Sequence, residues 1–89
     1  MKKLTDLPNI GKVTAEKLEK IGIKTPDDFL AHDPYRIFDE LLEKVDPTLC
    51  RCALAGIIGA HKGKKWNLVM KEAVAKFEKD HPGHKWISC

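Results

Sequence analysis

Three times in the middle of this chain a capping residue stands directly before a proline: Thr25-Pro26, Asp33-Pro34 and Asp46-Pro47. A Thr or Asp side chain can accept a hydrogen bond from the first turn of a helix. A proline at the first helical position gives up only an N–H that has no partner there. Each pair therefore predicts a helix start, and starts this close together leave room only for short helices. No stretch follows the two-residue period of a strand, and no segment repeats. The fold class that follows is all-α, a compact bundle of five to six short helices. The 89 residues suffice for one domain with a small core, which we place at residues 1–80, with 81–89 as a C-terminal tail.

Apolar spacing fills in the helices. Residues 12–21 carry Val13, Ala15, Leu18 and Ile21 against an outer row of lysines, and residues 26–31 form a short helix with Asp27 and Asp28 at its positive dipole end. Residues 34–44 are amphipathic, with Ile37, Phe38, Leu41, Leu42 and Val45 inward and Arg36, Asp39, Glu40 and Glu43 outward. Residues 47–60 are apolar nearly all round, so that helix belongs in the middle of the bundle. Cys50 and Cys52 are expected there as reduced, small hydrophobes whose side chains diverge too far to bridge. Gly56 and Gly59 cost helix propensity; close packing of a neighbouring helix, a fraying end or a functional hairpin would each account for them. His61-Lys62-Gly63-Lys64-Lys65 reads as a basic loop. A last helix over 66–80 places Trp66, Val69, Met70, Ala73, Val74 and Phe77 on a core stripe. The breakers His81-Pro82-Gly83-His84 end it, and the residues beyond either fray or fold back through Trp86.

The site most able to carry chemistry is Leu7-Pro8-Asn9-Ile10-Gly11, a tight glycine-ended turn leading into a helix that begins with Lys12. Pro8 presets φ for the first turn position, while Asn9 and Gly11 tolerate left-handed or awkward backbone. The first N–H groups of the following helix lack partners and sit at its positive dipole end, the geometry that holds a phosphate. The candidate binding groups are the backbone amides near Asn9, Ile10, Gly11 and Lys12, with charge from Lys12, Lys17 and the loop residues Lys62, Gly63, Lys64 and Lys65.

The spacing Leu4-x-x-Leu7-Pro8-x-Ile10-Gly11-x-x-x-Ala15-x-x-Leu18 resembles the helix-hairpin-helix motif of DNA-binding proteins without sequence preference, here spanning residues 4–21. Asn9 stands where that motif usually has its first glycine. A longer likeness rests on Gly22-Ile23-x-Thr25-x-x-Asp28, on Ala53-Leu54-x-Gly56-Ile57-Ile58-Gly59-Ala60-His61 and on Trp66-Asn67. These resemble the C-terminal domain of TfoX-type competence regulators, a small SAM-like all-helical domain, over most of residues 4–70. Asp33-Pro34 and the cysteine-bearing helix are also similar to the small pathogenicity-locus helix-hairpin-helix proteins. The resemblance implies a hairpin whose backbone approaches DNA phosphates, and it supplies no catalytic residue.

Charge is segregated along the chain. Residues 1–24 hold six lysines against three acids, 25–49 hold two basic residues against seven acids, and 50–65 hold four basic residues and no acid. Two basic segments thus flank an acidic one, as a face for a polyanion requires. Sequence readout is not expected, since the only arginines are Arg36, beside acids, and Arg51, in an apolar helix. The expected activity is binding of nucleic-acid backbone, chiefly DNA, as an accessory factor. The alternative is a protein-interaction domain using the acidic helix 34–45 or the Trp86 tail.

Other classes find little support. Lys12 or Lys20 could form a Schiff base, but no convergent polar cluster accompanies them, so no enzyme activity is expected. His81, His84 and Cys89, with Cys50, Cys52 and His61 upstream, lack a metal-ligand spacing, and neither metal nor cofactor is expected. The charged start leads into no signal-peptide core and no apolar run reaches membrane-span length. A cytoplasmic protein without a membrane partner or small-molecule substrate is expected.

Overall fold

The computed structural model describes residues 3–86, and among these there are five α-helices and no strands. A single 3-10 turn, Leu4–Asp6, leads through the Pro8-Asn9 turn into α1 (Lys12–Lys20). Then come α2 (Pro26–Ala31), α3 (Pro34–Lys44), α4 (Arg51–Lys62) and α5 (Trp66–Asp80).

Two of the three cap-proline pairs start helices as the sequence predicts. Thr25 Oγ1 accepts the Asp28 N–H at 3.1 Å, and Asp33 Oδ1 accepts the Tyr35 N–H at 2.9 Å. The third does not. Asp46 Oδ1 accepts the Thr48 N–H at 2.9 Å and Asp46 Oδ2 takes the Lys17 ammonium at 2.8 Å, and the backbone there closes a turn, with the Leu49 N–H on the Asp46 carbonyl, without going on into a helix. The helix expected from residue 47 therefore begins at Arg51, with Cys50 as its N-cap. Cys50 is half-buried and Cys52 exposed, which corrects the expectation that the thiols lie in the core; only from Leu54 onward does α4 enter it.

From Leu54 to Ala60 every residue of α4 is buried, and this helix packs chiefly on α5 and then on α3. The fully buried side chains Leu18, Phe29, Phe38, Leu41, Leu54, Ile57, Ile58 and Phe77 draw on all five helices. Phe38 and Phe77 meet edge to face with centroids 5.3 Å apart, the arrangement their ring quadrupoles favour. Trp86 folds back onto both rings, and the Arg51 guanidinium lies 5.1 Å from its centroid.

The end of α4 also differs from the expectation. His61 and Lys62, expected in a loop, complete the helix, and Gly63 ends it at φ 71°. The Lys64 N–H reaches the Gly59 carbonyl at 2.8 Å and the Gly63 N–H the Ala60 carbonyl at 3.4 Å, a Schellman ending whose left-handed residue favours glycine. The loop to α5 is thus only residues 63–65.

The Lys17–Asp46 pair ties α1 to the turn before α4. The lysine hydrogen bond, followed by those from Thr48, holds the Asp46 carboxyl well below the usual carboxylate range. A carboxylate depressed on folding stabilises the fold above its unfolded value, near 3.9, and this contribution drains away as pH falls toward the folded value. Asp46→Asn should lower the melting temperature at pH 7 and flatten its fall between pH 4 and pH 2, measured by circular dichroism. Parallel pH profiles for the two proteins would refute the linkage.

Candidate nucleic-acid interface

The N-terminal turn is built from both ends. The Leu7 N–H bonds to the Leu4 carbonyl at 3.0 Å and the Ile10 N–H to the Leu7 carbonyl at 3.3 Å, while Leu4 and Ile10 are buried in the core. Between them Asn9 adopts φ 64°, a region in which Asn is one of the few side-chain-bearing residues at home. Gly11 caps α1 from an extended backbone, and a Cβ added there would meet nothing within 4 Å.

Asn9 also bonds at long range. Its Nδ2 donates to the Lys64 carbonyl at 2.7 Å, and its Oδ1 accepts the Trp66 N–H at 3.1 Å. One amide side chain thereby joins the turn before α1 to the loop between α4 and α5. It rests on α4: a Cβ at Gly59 would come within 2.6 Å of the Lys64 carbonyl oxygen and 2.7 Å of Asn9 Nδ2, and one at Gly56 would touch Asn9 at 3.7 Å. Close packing is therefore what Gly59 provides, whereas a Cβ at Gly56 would make an ordinary van der Waals contact. Both lie inside the helix, so Gly56-x-x-Gly59 forms no hairpin of its own.

The clamp brings the two basic segments together. Gly11, Lys12, Gly63, Lys64 and Lys65 are all exposed. Among the described residues the N–H groups of Gly11, Lys12, Val13 and Thr14 have no partner, and Lys12, Lys64 and Lys65 pair with no acid. The other candidates are placed differently. The Ile10 amide is used within the turn, so the unbroken run of open donors begins at Gly11. Lys17 is spent on Asp46, and Lys62 pairs with Glu72 of α5 at 3.4 Å. The Asn9 side chain turns inward and leaves the mouth of the helix clear.

Sequence reasoning missed the clamp, because a polar residue in a turn gives no sign of a partner 55 positions away. It also put Trp66 in the core. Trp66 shares the stripe of Val69, Ala73 and Phe77, yet it stands at the first residue of α5, where the stripe overruns the core, and it is 43% exposed. Val13 and Leu68, on the same two helix starts, are 63% and 70% exposed. The available signal for Trp66 was its position directly after two lysines and a helix-ending glycine.

At the opposite end, His81 stacks on Phe77 and its Nε2 lies 3.0 Å from Asp39 Oδ1. Burial raises the Asp39 carboxyl, an effect that His81 partly offsets. Among the described residues no three His, Cys, Asp or Glu side chains are placed to hold a metal ion, and Cys89 lies outside those residues. No helix among them is long and apolar enough to cross a membrane.

Comparison with known proteins gives a family. Residues 1–67 match the model of Cdd1, described as "Pathogenicity locus". The triclinic crystal form of an uncharacterized protein from Listeria monocytogenes superposes with a TM-score of 0.78 at 30% identity, covering 93% of this chain and 98% of that one. A tetragonal form of a protein of unknown function from the same organism gives 0.75 at 30% identity, over 88% and 99% of the two chains. No curated protein matches this chain.

The clamp can be tested by separating its backbone and side-chain parts. Asn9→Gly keeps the left-handed backbone but loses both bonds, whereas Asn9→Ala loses the bonds and adds strain, about 1–2 kcal/mol more. At roughly 4–8 °C per kcal/mol for a domain of this size, the alanine variant should melt several degrees below the glycine variant, and both below wild type. Gly59→Ala should cost about 1–3 kcal/mol by overpacking, because the nearest obstacle is a backbone oxygen. A Gly59→Ala protein as stable as wild type would refute the close approach.

Proposed function

We propose that this chain, which belongs to the Cdd1 pathogenicity-locus family, binds nucleic acid through its phosphate backbone and without reading sequence. In this reading residues 4–21 act as a helix-hairpin-helix, and the ligand is DNA engaged as an accessory to another protein's action. The observation that carries it is the meeting of four open amides at the start of α1 with the unpaired charges of Lys12, Lys64 and Lys65, held together by Asn9. A helix start supplies oriented donors and the positive end of the dipole, and an anion there needs no further side chain. The lysines add the diffuse attraction that positions a polyanion.

The chemistry favours weak binding. Three free lysines and one helix start make few phosphate contacts, and no arginine stands on this face to read base edges; Arg51 lies beside Trp86. The protein-docking alternative draws on Glu40 and Glu43, which are exposed on α3, and loses the Trp86 tail, whose ring packs on Phe38 and Phe77.

Titrating labelled duplex DNA at several salt concentrations tests the proposal. Three phosphate contacts give a slope of log affinity against log salt near −3 on duplex DNA. The double variant Lys64→Ala/Lys65→Ala should flatten it by about 2, while Glu40→Gln/Glu43→Gln should leave it within error. Scrambled duplexes should bind equally. Absence of binding at low salt, or a slope indifferent to the lysines, defeats the proposal.

A further inference from the structure

We infer that Trp66 is a stacking platform for an unpaired base, so that the preferred ligand is DNA with a single-stranded stretch or junction rather than continuous duplex. The inference rests on the backbone-binding reading above and specifies its substrate class.

Three observations carry it. Trp66 is the one tryptophan with a large exposed surface among the described residues, and it stands directly after Lys64 and Lys65. Its backbone is fixed, because its N–H is held by Asn9 Oδ1 at 3.1 Å. Helical side chains lean toward the helix N-terminus, which for Trp66 is the side of the basic loop at residues 63–65. The ring therefore leans toward the lysines, with 43% of the residue open to solvent.

The chemistry selects the occupant. Inside a duplex the faces of the bases are stacked on each other, and a protein meets only their edges and the phosphates. An aromatic ring offers a face, which binds a base only after that base has left its stack; paired with basic groups that follow the backbone, this is how single strands are held without sequence preference. The two halves of the site are near enough to share a strand. Gly11 is two residues from Asn9, about 7 Å of extended chain at most, and Asn9 touches the Trp66 backbone. A strand whose phosphate sits at the α1 amides can thus lay a base within a few nucleotides on Trp66.

The test compares one labelled duplex with the same duplex carrying a short single-stranded gap, by fluorescence anisotropy at low salt, for wild type, Trp66→Ala and Trp66→Phe. Wild type should favour the gapped DNA by about tenfold, on the scale of one stacked base. Trp66→Ala should bring the ratio of the two affinities close to one, and Trp66→Phe should retain most of it. Quenching of intrinsic fluorescence by oligothymidylate, present in wild type and lost in Trp66→Phe, would support the same contact without relying on the alanine variant. A wild-type ratio near one, or a ratio unchanged in Trp66→Ala, overturns the platform while duplex binding and its salt slope leave the backbone reading standing. Failure to bind either DNA removes both.

Discussion

The side-chain amide of Asn9 is the contact on which the arrangement of the molecule's basic surface depends. Its two hydrogen bonds use one donor and one acceptor to fix the Lys64 carbonyl and the Trp66 N–H. The second of these is a donor that the start of α5 would otherwise leave open. No other uncharged side chain short enough for this turn offers both a donor and an acceptor on a planar amide. Asp would lose the donor and place its charge against a carbonyl. Glycine, the residue more usual at such a turn, would keep the backbone and lose the clamp. Gly59 beneath it follows from the same contact, since a methyl group there would occupy the space of the Lys64 carbonyl and the Asn9 amide. The turn, Gly59 of α4 and the loop before α5 are one packing problem with one solution.

That solution also sorts the charges. The basic segments at the N-terminus and at residues 50–65 are separated in sequence by a strongly acidic stretch, and the clamp brings their tips together. Lysines with a structural partner are withdrawn from the face: Lys17 to Asp46 and Lys62 to Glu72. Lys12, Lys64 and Lys65, which pair with no acid among the described residues, stand at the two helix starts. A modest overall charge of +3 can therefore coexist with a local field that favours an anion, because attraction at short range depends on which charges are unpaired and near, not on the total.

Most of the secondary structure was legible because its signals are local. Thr25-Pro26 and Asp33-Pro34 mark helix starts with groups two or three residues apart, and α5 ends directly before the breakers His81-Pro82-Gly83. Asp46-Pro47 carries the same local signal, and Asp46 Oδ1 makes the same bond to the N–H two residues on, yet the chain only turns over 46–49 and α4 starts at Arg51. The errors at Cys50, Cys52 and Trp66 have a common cause. Helical periodicity tells which side of a helix faces inward but not where along its axis the core begins, and all three residues stand at or beside the first turn. Of the candidate site, the turn, the open amides and the basic loop could be read in advance, whereas the bond that joins them spans too much sequence to leave a pattern.

The two tryptophans show what the exposed one costs. Trp86 lies beyond the last helix, yet it folds back onto Phe38 and Phe77 beneath the Arg51 guanidinium. The core can thus accept an indole even from the end of the chain. Trp66 sits on a helix whose Val69, Ala73 and Phe77 are buried on the same stripe, and it still shows 43% of its surface to water. Leaving that much apolar area hydrated forgoes on the order of 1 kcal/mol, a sizeable share for a small domain. Because its main-chain N–H is held by Asn9, the ring cannot recover that energy by swinging the start of α5 inward without breaking the clamp. The contact that ties the opposite turn to the loop before α5 thus also fixes the main chain at Trp66, so the exposed ring and the unpaired lysines stand at one junction of the fold.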